Sequence, residues 1–427
     1  MSYAPILTEP ALNNQKVFET KPSNYLNKSR KPESARRKNK QSSNRQNGAS
    51  HDYPIIVHSH LCWDWVWQRP QQFVSRLSKR HKILFVETVA PDPALVVPAA
   101  RFRQVEKYPN TTILTVQFPA WRWGDGAYVD SERRRIVQQF VAGPGSEFEN
   151  PVQWFYDPMA VPAFAGQMGE RLTVYDCMDE LSRFRCAPPE MSVREAKLLA
   201  LADVVFTGGR KLWESKRRHH ENCHFYGCGV DVAHFGKALK PETPIATQLE
   251  SLSKPVLGYF GVVDERLDYD LIARLADANP EWSVAIVGPV LKVEEASLPR
   301  RANLHWLGGQ PYADLPSFCK GFNICLMPFA LNEATEFINP TKALEYMATG
   351  RPIISSAVPD VVANFGEVVH VADDVEEFIS LCRKATARPD AERTRRGLAK
   401  ARENTWERIV SELEGHVEEA LKTRVAA

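Results

Sequence analysis

Apolar residues in this chain come in short continuous runs separated by polar turns. The first run is YPIIVHSH at 53–60. A helix-like stretch follows at about Pro70–Lys79, then the run KILFVET at 82–88. VQWFYD (152–157), LTVYDC (172–177) and DVVFTG (203–208) continue the pattern. Runs of this length without alternation are expected of strands buried on both faces of a parallel sheet. A second set starts at Pro255. It comprises VLGYFG (256–261), SVAIVG (283–288), NLHWLG (303–308), NICLMPF (323–329), PIISSA (352–357) and EVVHVA (367–372), with a helix predicted at about Tyr269–Ala278. The spacing predicts an α/β protein with two doubly wound, Rossmann-like domains. The expected division is 51–235, a polar linker 236–254, and 255–400. Segment 401–427 holds a helix whose apolar stripe, TWERIVSELEGHVEEALK (405–422), must pack on something.

Composition changes this picture at one end only. The chain has 427 residues, 44% hydrophobic and 25% charged, as expected of a globular protein with more than one core. Residues 1–50 hold ten Lys/Arg against three Asp/Glu, a net of +7; the whole chain is +2, so the remainder is near −5. That polar, basic segment cannot bury enough surface to offset its ordering entropy, and it reads as a disordered tail. Two readings stand for it: a peripheral contact with anionic lipid, or a solubilising extension. The start MSYAPILTEP lacks a signal peptide's basic and apolar regions, and no apolar run approaches the ~18 residues of a membrane span. The eight cysteines show no CxxC spacing, so reduced thiols, no metal site and a cytoplasmic setting are expected.

The stretch NPTKALEYMATGRP (339–352) carries the most chemistry. Asn339 suits an N-cap, Pro340 the first helical position, and Gly350 the helix end. Lys342 then sits in the first turn, where the helix dipole disfavours a cation. A phosphate on the free N–H groups of that turn would reverse the effect. Glu345 lies one turn on, within reach of a sugar hydroxyl. Spacing leaves two readings open: a nucleotide-sugar site, or a surface helix with an i,i+3 ion pair. GxGxxG, the Walker A pattern and GxSxG are all absent, which disfavours nicotinamide, P-loop and serine-hydrolase chemistry. The pairs Asp264-Glu265 and Asp179-Glu180 read as solvated acids. Asp176 and Asp179 read as turn or capping residues.

Four segments together resemble retaining glycosyltransferases of the GT-B fold, more narrowly the glycosyl transferases group 1 (family 4) set that builds bacterial surface polysaccharides. They are GYFGVVDERLDYDLI (258–272), NLHWLGGQPYADLPSFCKGFNICLMPF (303–329), NPTKALEYMATGRPIISS (339–356), and DVVFTGGRKLWESK (203–216) with GCGVDVAHF (227–235). The resemblance implies two domains facing a central cleft, with the terminal helix crossing back to the first. It implies donor diphosphate at Asn339, Pro340, Thr341 and Lys342, ribose on Glu345, and a phosphate-neutralising cation at Arg266 after the Gly261 loop. Gly308, Gly309 and Tyr312 fall where the base is cradled. The family's first motif glutamate falls on Phe337, so Glu336 is the expected substitute beside the donor sugar. In the first domain Trp63, Trp65, Arg69 and Asp157 are acceptor-side candidates; for the tryptophans, sugar or lipid contact and ordinary packing both stand.

The implied reaction is metal-independent transfer, with retention, from a UDP-, GDP- or dTDP-sugar to a glycan or lipid-linked acceptor. No cofactor and no nucleic-acid partner are expected. A non-catalytic scaffold and a sugar-nucleotide epimerase are the alternatives.

Overall fold

The computed structural model describes residues 53–184, 187–333 and 335–426; the basic tail lies outside the described residues. The first sheet holds β1 (Ile55–Ser59), β2 (Ile83–Thr88), β3 (Ala99–Val105), β4 (Tyr108–Gln117), β5 (Val152–Phe155), β6 (Leu172–Cys177), β7 (Val204–Thr207) and β8 (Cys223–Phe225). Its order is β3-β4-β2-β1-β5-β6-β7-β8. Every pairing is parallel except β3 with β4. The second sheet holds β9 (Val256–Phe260), β10 (Ser283–Val287), β11 (Leu304–Trp306), β12 (Ile324–Met327), β13 (Ile353–Ser356) and β14 (His370–Ala372). It is wholly parallel, in the order β11-β10-β9-β12-β13-β14.

Both orders reverse direction beside their first strand, between β1 and β5 and between β9 and β12. Ligands of doubly wound sheets bind beyond the strand C-termini at such a reversal. Segments 59–69 and 157–160 therefore flank one crevice, and segments 261–268 and 328–340 the other.

The terminal helix, Trp406–Ala426, returns to the first sheet. Trp406, Ile409, Val410, Leu413 and Val417 share a core with Tyr53, Phe73 and Trp154. Its apolar stripe thus has its partner. Segment 236–254 is more than a linker: it forms short turns at Gly236–Leu239 and Thr247–Glu250, and Leu249 is fully buried in the second core. The β3–β4 hairpin and β8 were not expected from the sequence. β3 is almost wholly exposed, so no apolar run marks it.

Candidate functional site

The second crevice gathers four predicted residues, Gly261, Arg266, Lys342 and Glu345. β9 is followed by Gly261, whose φ of 143° is closed to ordinary side chains. A Cβ there would stand 2.2 Å from Lys342 Cε and 2.6 Å from its Nζ, so the glycine makes room for the lysine. A Cβ on Gly288, just after β10, would meet the Gly261 carbonyl oxygen at 1.7 Å. Lys342 Nζ also lies 5.6 Å from the centre of the Tyr259 ring. Burial lowers the Lys342 pKa, Glu345 opposes that shift, and Arg266 reinforces it. Arg266 makes a two-nitrogen contact with Asp264: Nε to Oδ1 at 2.9 Å and Nη2 to Oδ2 at 2.7 Å. Asp264 is buried and is not the solvated acid expected of a loop pair. Its carboxylate holds the guanidinium in place.

Glu345 is buried at 8% exposure, and desolvation pushes its pKa up to about 7 against the pull of Lys342. Its folded-state pKa therefore exceeds the usual 4.5. Between these values the folded chain holds the proton more tightly, so this group makes stability fall as pH rises through that window. In ligand-free protein, Glu345→Gln is expected to flatten the decline in Tm between about pH 4.5 and 7.5. Parallel Tm profiles for the two proteins would refute the assignment.

The start of the motif helix differs from expectation. The helix runs Lys342–Ala348 with Thr341 as its cap, and Asn339 caps nothing. The Asn339 amide instead donates to the Gly208 carbonyl of the first domain, at 3.1 Å. Pro340 precedes the helix, and its carbonyl accepts from Ala343 N–H at 3.1 Å. The Thr341 hydroxyl donates to Cys228 Sγ at 3.1 Å. Asn339 and Thr341 bridge to the other domain because it offers them partners that the sequence does not reveal. Gly308 has φ 67°, and its carbonyl accepts from Gly288 N–H at 2.8 Å; Gly309 lies against Pro289. Tyr312 turns to the interdomain hinge. It stacks on His234 at 4.3 Å and accepts from Gln72 at 3.4 Å, which commits a ring expected to cradle a base.

On the facing side most expected contacts are structural. Trp63 is 4% exposed and packs edge-on against Phe85 and Trp67. Its backbone N–H donates to Glu87 at 2.7 Å. It belongs to the first core and offers no face to a ligand. Trp65 is half-buried. Arg69 is buried; it donates to Asp176 at 2.9 Å and to the Tyr226 carbonyl at 2.8 Å. Asp157 is buried and accepts from Met159 N–H at 2.9 Å, with Arg133 3.8 Å away.

Sequence reasoning underrated Asp179 and missed Lys292. Asp179 lies just past the end of β6. Burial pushes its carboxyl up to about 6, against the pull of Arg266 and Lys292 from the second domain and Arg69 from the first. Lys292 has φ 59° and reaches across to the Phe184 ring at 4.8 Å. Position at the C-terminal end of a strand was the only signal available for Asp179.

Glu336 points to the first domain, its carboxylate 2.9 Å from Lys211 Nζ. Phe337 packs on the first domain's core. Among the described residues, no helix is long and apolar enough to cross a membrane.

Residues 254–387 match the family model described as glycosyl transferases group 1. A curated relative, the putative teichuronic acid biosynthesis glycosyltransferase TuaH of Bacillus subtilis (strain 168), is 24% identical over 232 residues. That match takes in 49% of this chain and 57% of the relative, so the chain spans just over half the relative's length. Solved structures share the architecture over most of the chain. Sucrose-phosphate synthase from Thermosynechococcus elongatus superposes with a TM-score of 0.65 at 15% identity, covering 87% of this chain and 99% of that one. Anabaena Alr3699/HepE in complex with UDP and glucose gives 0.63 at 13% identity, covering 86% and 99%. Alpha,alpha-trehalose 6-phosphate synthase from Burkholderia multivorans gives 0.62 at 13% identity, covering 88% and 99%. In fold the chain is a GT-B protein, and its residues 254–387 match the glycosyl transferases group 1 family.

Proposed function

We propose that this protein transfers a sugar from a nucleotide-sugar donor to a glycan or lipid-linked acceptor in cell-surface polysaccharide synthesis. The observation that carries the reading is Lys342 seated against Gly261, with Arg266 and Glu345 both acting on its charge, within the segment that matches the family. Cleavage of the anomeric bond leaves a diphosphate with added negative charge. Fixed cations at Arg266 and Lys342 lower that barrier, because they are in place before the charge develops. Glu345 accepts from the ribose hydroxyls. Closure of the two domains excludes water and limits hydrolysis. Retention, with the acceptor entering from the leaving-group face, and independence of metal follow from the family resemblance. The TuaH relative's name places that protein in teichuronic acid synthesis, and the HepE structure holds UDP and glucose; both support the reading. The cationic tail is the proposed contact with an anionic membrane surface.

The test is a panel of UDP-, GDP- and dTDP-sugars, each with and without candidate glycan acceptors and with a chelator present. Release of nucleoside diphosphate that depends on acceptor is expected. Epimerised donor would replace the reading with an epimerase. Binding without turnover would replace it with a scaffold, and turnover abolished by the chelator would end metal independence.

A further inference from the structure

The segment that departs from the family pattern is also the one that joins the two domains. Phe337 stands where the family has its first motif glutamate, and it packs on the first domain's core, with Lys211 Nζ 6.0 Å from the centre of its ring. Two residues on, the Asn339 amide donates to Gly208 at 3.1 Å. Asp360, from the helix after β13, is 1% exposed. Its carboxylate accepts from Arg210 N–H at 2.7 Å and Lys211 N–H at 3.4 Å, at the start of the Arg210–Lys216 helix of the first domain. Two glycines permit the approach. A Cβ on Gly209 would stand 3.0 Å from Asp360 Oδ2 and 3.1 Å from the Phe337 carbonyl oxygen. One on Gly227 would stand 2.8 Å from Asn339 Nδ2. The Lys211–Glu336 pair is more than a third exposed on both sides and adds little strength of its own.

We propose that Phe337 and Asp360 are positioning residues that fasten the donor-side helix to the first domain, so that segment 336–339 is an interdomain clasp and not a second sugar contact. The proposal rests on the reading of Lys342 and Glu345 as donor ligands. Phe337 fixes the chain four residues before the helix cap at Thr341, which Lys342 follows immediately. Loosening the clasp frees that helix from the domain that supplies the acceptor. A hydrophobic ring suits this role where a carboxylate would be desolvated without a partner.

The test uses the full chain and two independent readouts. Hydrogen exchange reads the clasp without any ligand. Phe337→Ala and Asp360→Asn should speed exchange of the 338–348 amides at least tenfold, and Phe337→Leu should restore slow exchange. Unchanged exchange in both variants overturns the clasp, whatever the protein's activity. Turnover of the donor found by the nucleotide-sugar panel is the second readout. Phe337→Ala should lower kcat at least tenfold and leave KM for that donor within threefold. Glu336→Ala should change kcat less than threefold. A tenfold loss in Glu336→Ala returns Glu336 to the donor sugar and overturns the assignment. A panel with no turnover sinks the proposed function while the exchange result still decides the clasp.

Discussion

Replacing Lys342 with methionine is expected to weaken binding of a nucleoside diphosphate by about 1–3 kcal/mol, roughly five- to 150-fold, the range for losing one charge-assisted contact. The ligand-free protein should not lose stability. Burial disfavours the ammonium by more than Glu345 favours it, and Arg266 adds to the cost, so the folded state bears a net cost for the cation. A thioether of similar length fills the space over Gly261 without that cost. The two readouts therefore move apart: affinity falls while Tm holds or rises. Such opposition is the signature of a site kept for binding at the expense of stability. Calorimetry with UDP, GDP and dTDP measures the first, and thermal unfolding the second. Unchanged affinity for every nucleotide that binds the native protein would remove Lys342 from the anion site. A large fall in Tm would make the lysine a structural residue.

What the sequence made legible follows from how each signal is written. Strands β1, β6, β9 and β13 are buried at every position because both faces of a parallel sheet are covered, and their short, mostly apolar runs mark them in the sequence. The stripe of the terminal helix is similarly local, and its packing on Phe73 and Trp154 obeys it. The exposed β3 carries no such run. Local signals also placed Lys342 and Glu345 one turn apart, as observed. They failed where the deciding partner lies far along the chain. Asn339 has an N-cap's chemistry, yet its amide bonds to Gly208, more than a hundred residues away. Asp264 looked like one of two solvated loop acids, and only the fold shows it buried under Arg266. Trp63 had the composition of a sugar platform and the surroundings of a core residue. Segment 236–254 read as a linker because it is polar, while one fully buried leucine, Leu249, ties it to the second core.

Arg69→Met should destabilise the protein by about 3–5 kcal/mol, the usual cost of removing one partner from a buried ion pair. The arginine side chain is 3% exposed and that of Asp176 0%, so neither is screened by water. Without Arg69, Asp176 is left as a buried carboxylate whose pKa burial already raises and Arg69 chiefly holds down. The same guanidinium donates to the carbonyls of Tyr226, at 2.8 Å, and Gly227, at 3.2 Å, and lies 4.4 Å over the Phe73 ring. It thus ties the end of β6 to the chain that leads into the second domain. The double variant Arg69→Met with Asp176→Leu separates this role from an acceptor contact. Replacing both members of a buried pair by apolar residues is often neutral. The double variant should therefore recover most of the lost stability and, with it, turnover of the donor that the panel identifies. A double variant that regains its Tm but loses turnover would return Arg69 to the acceptor side, and a single variant with native Tm would show that the pair contributes nothing.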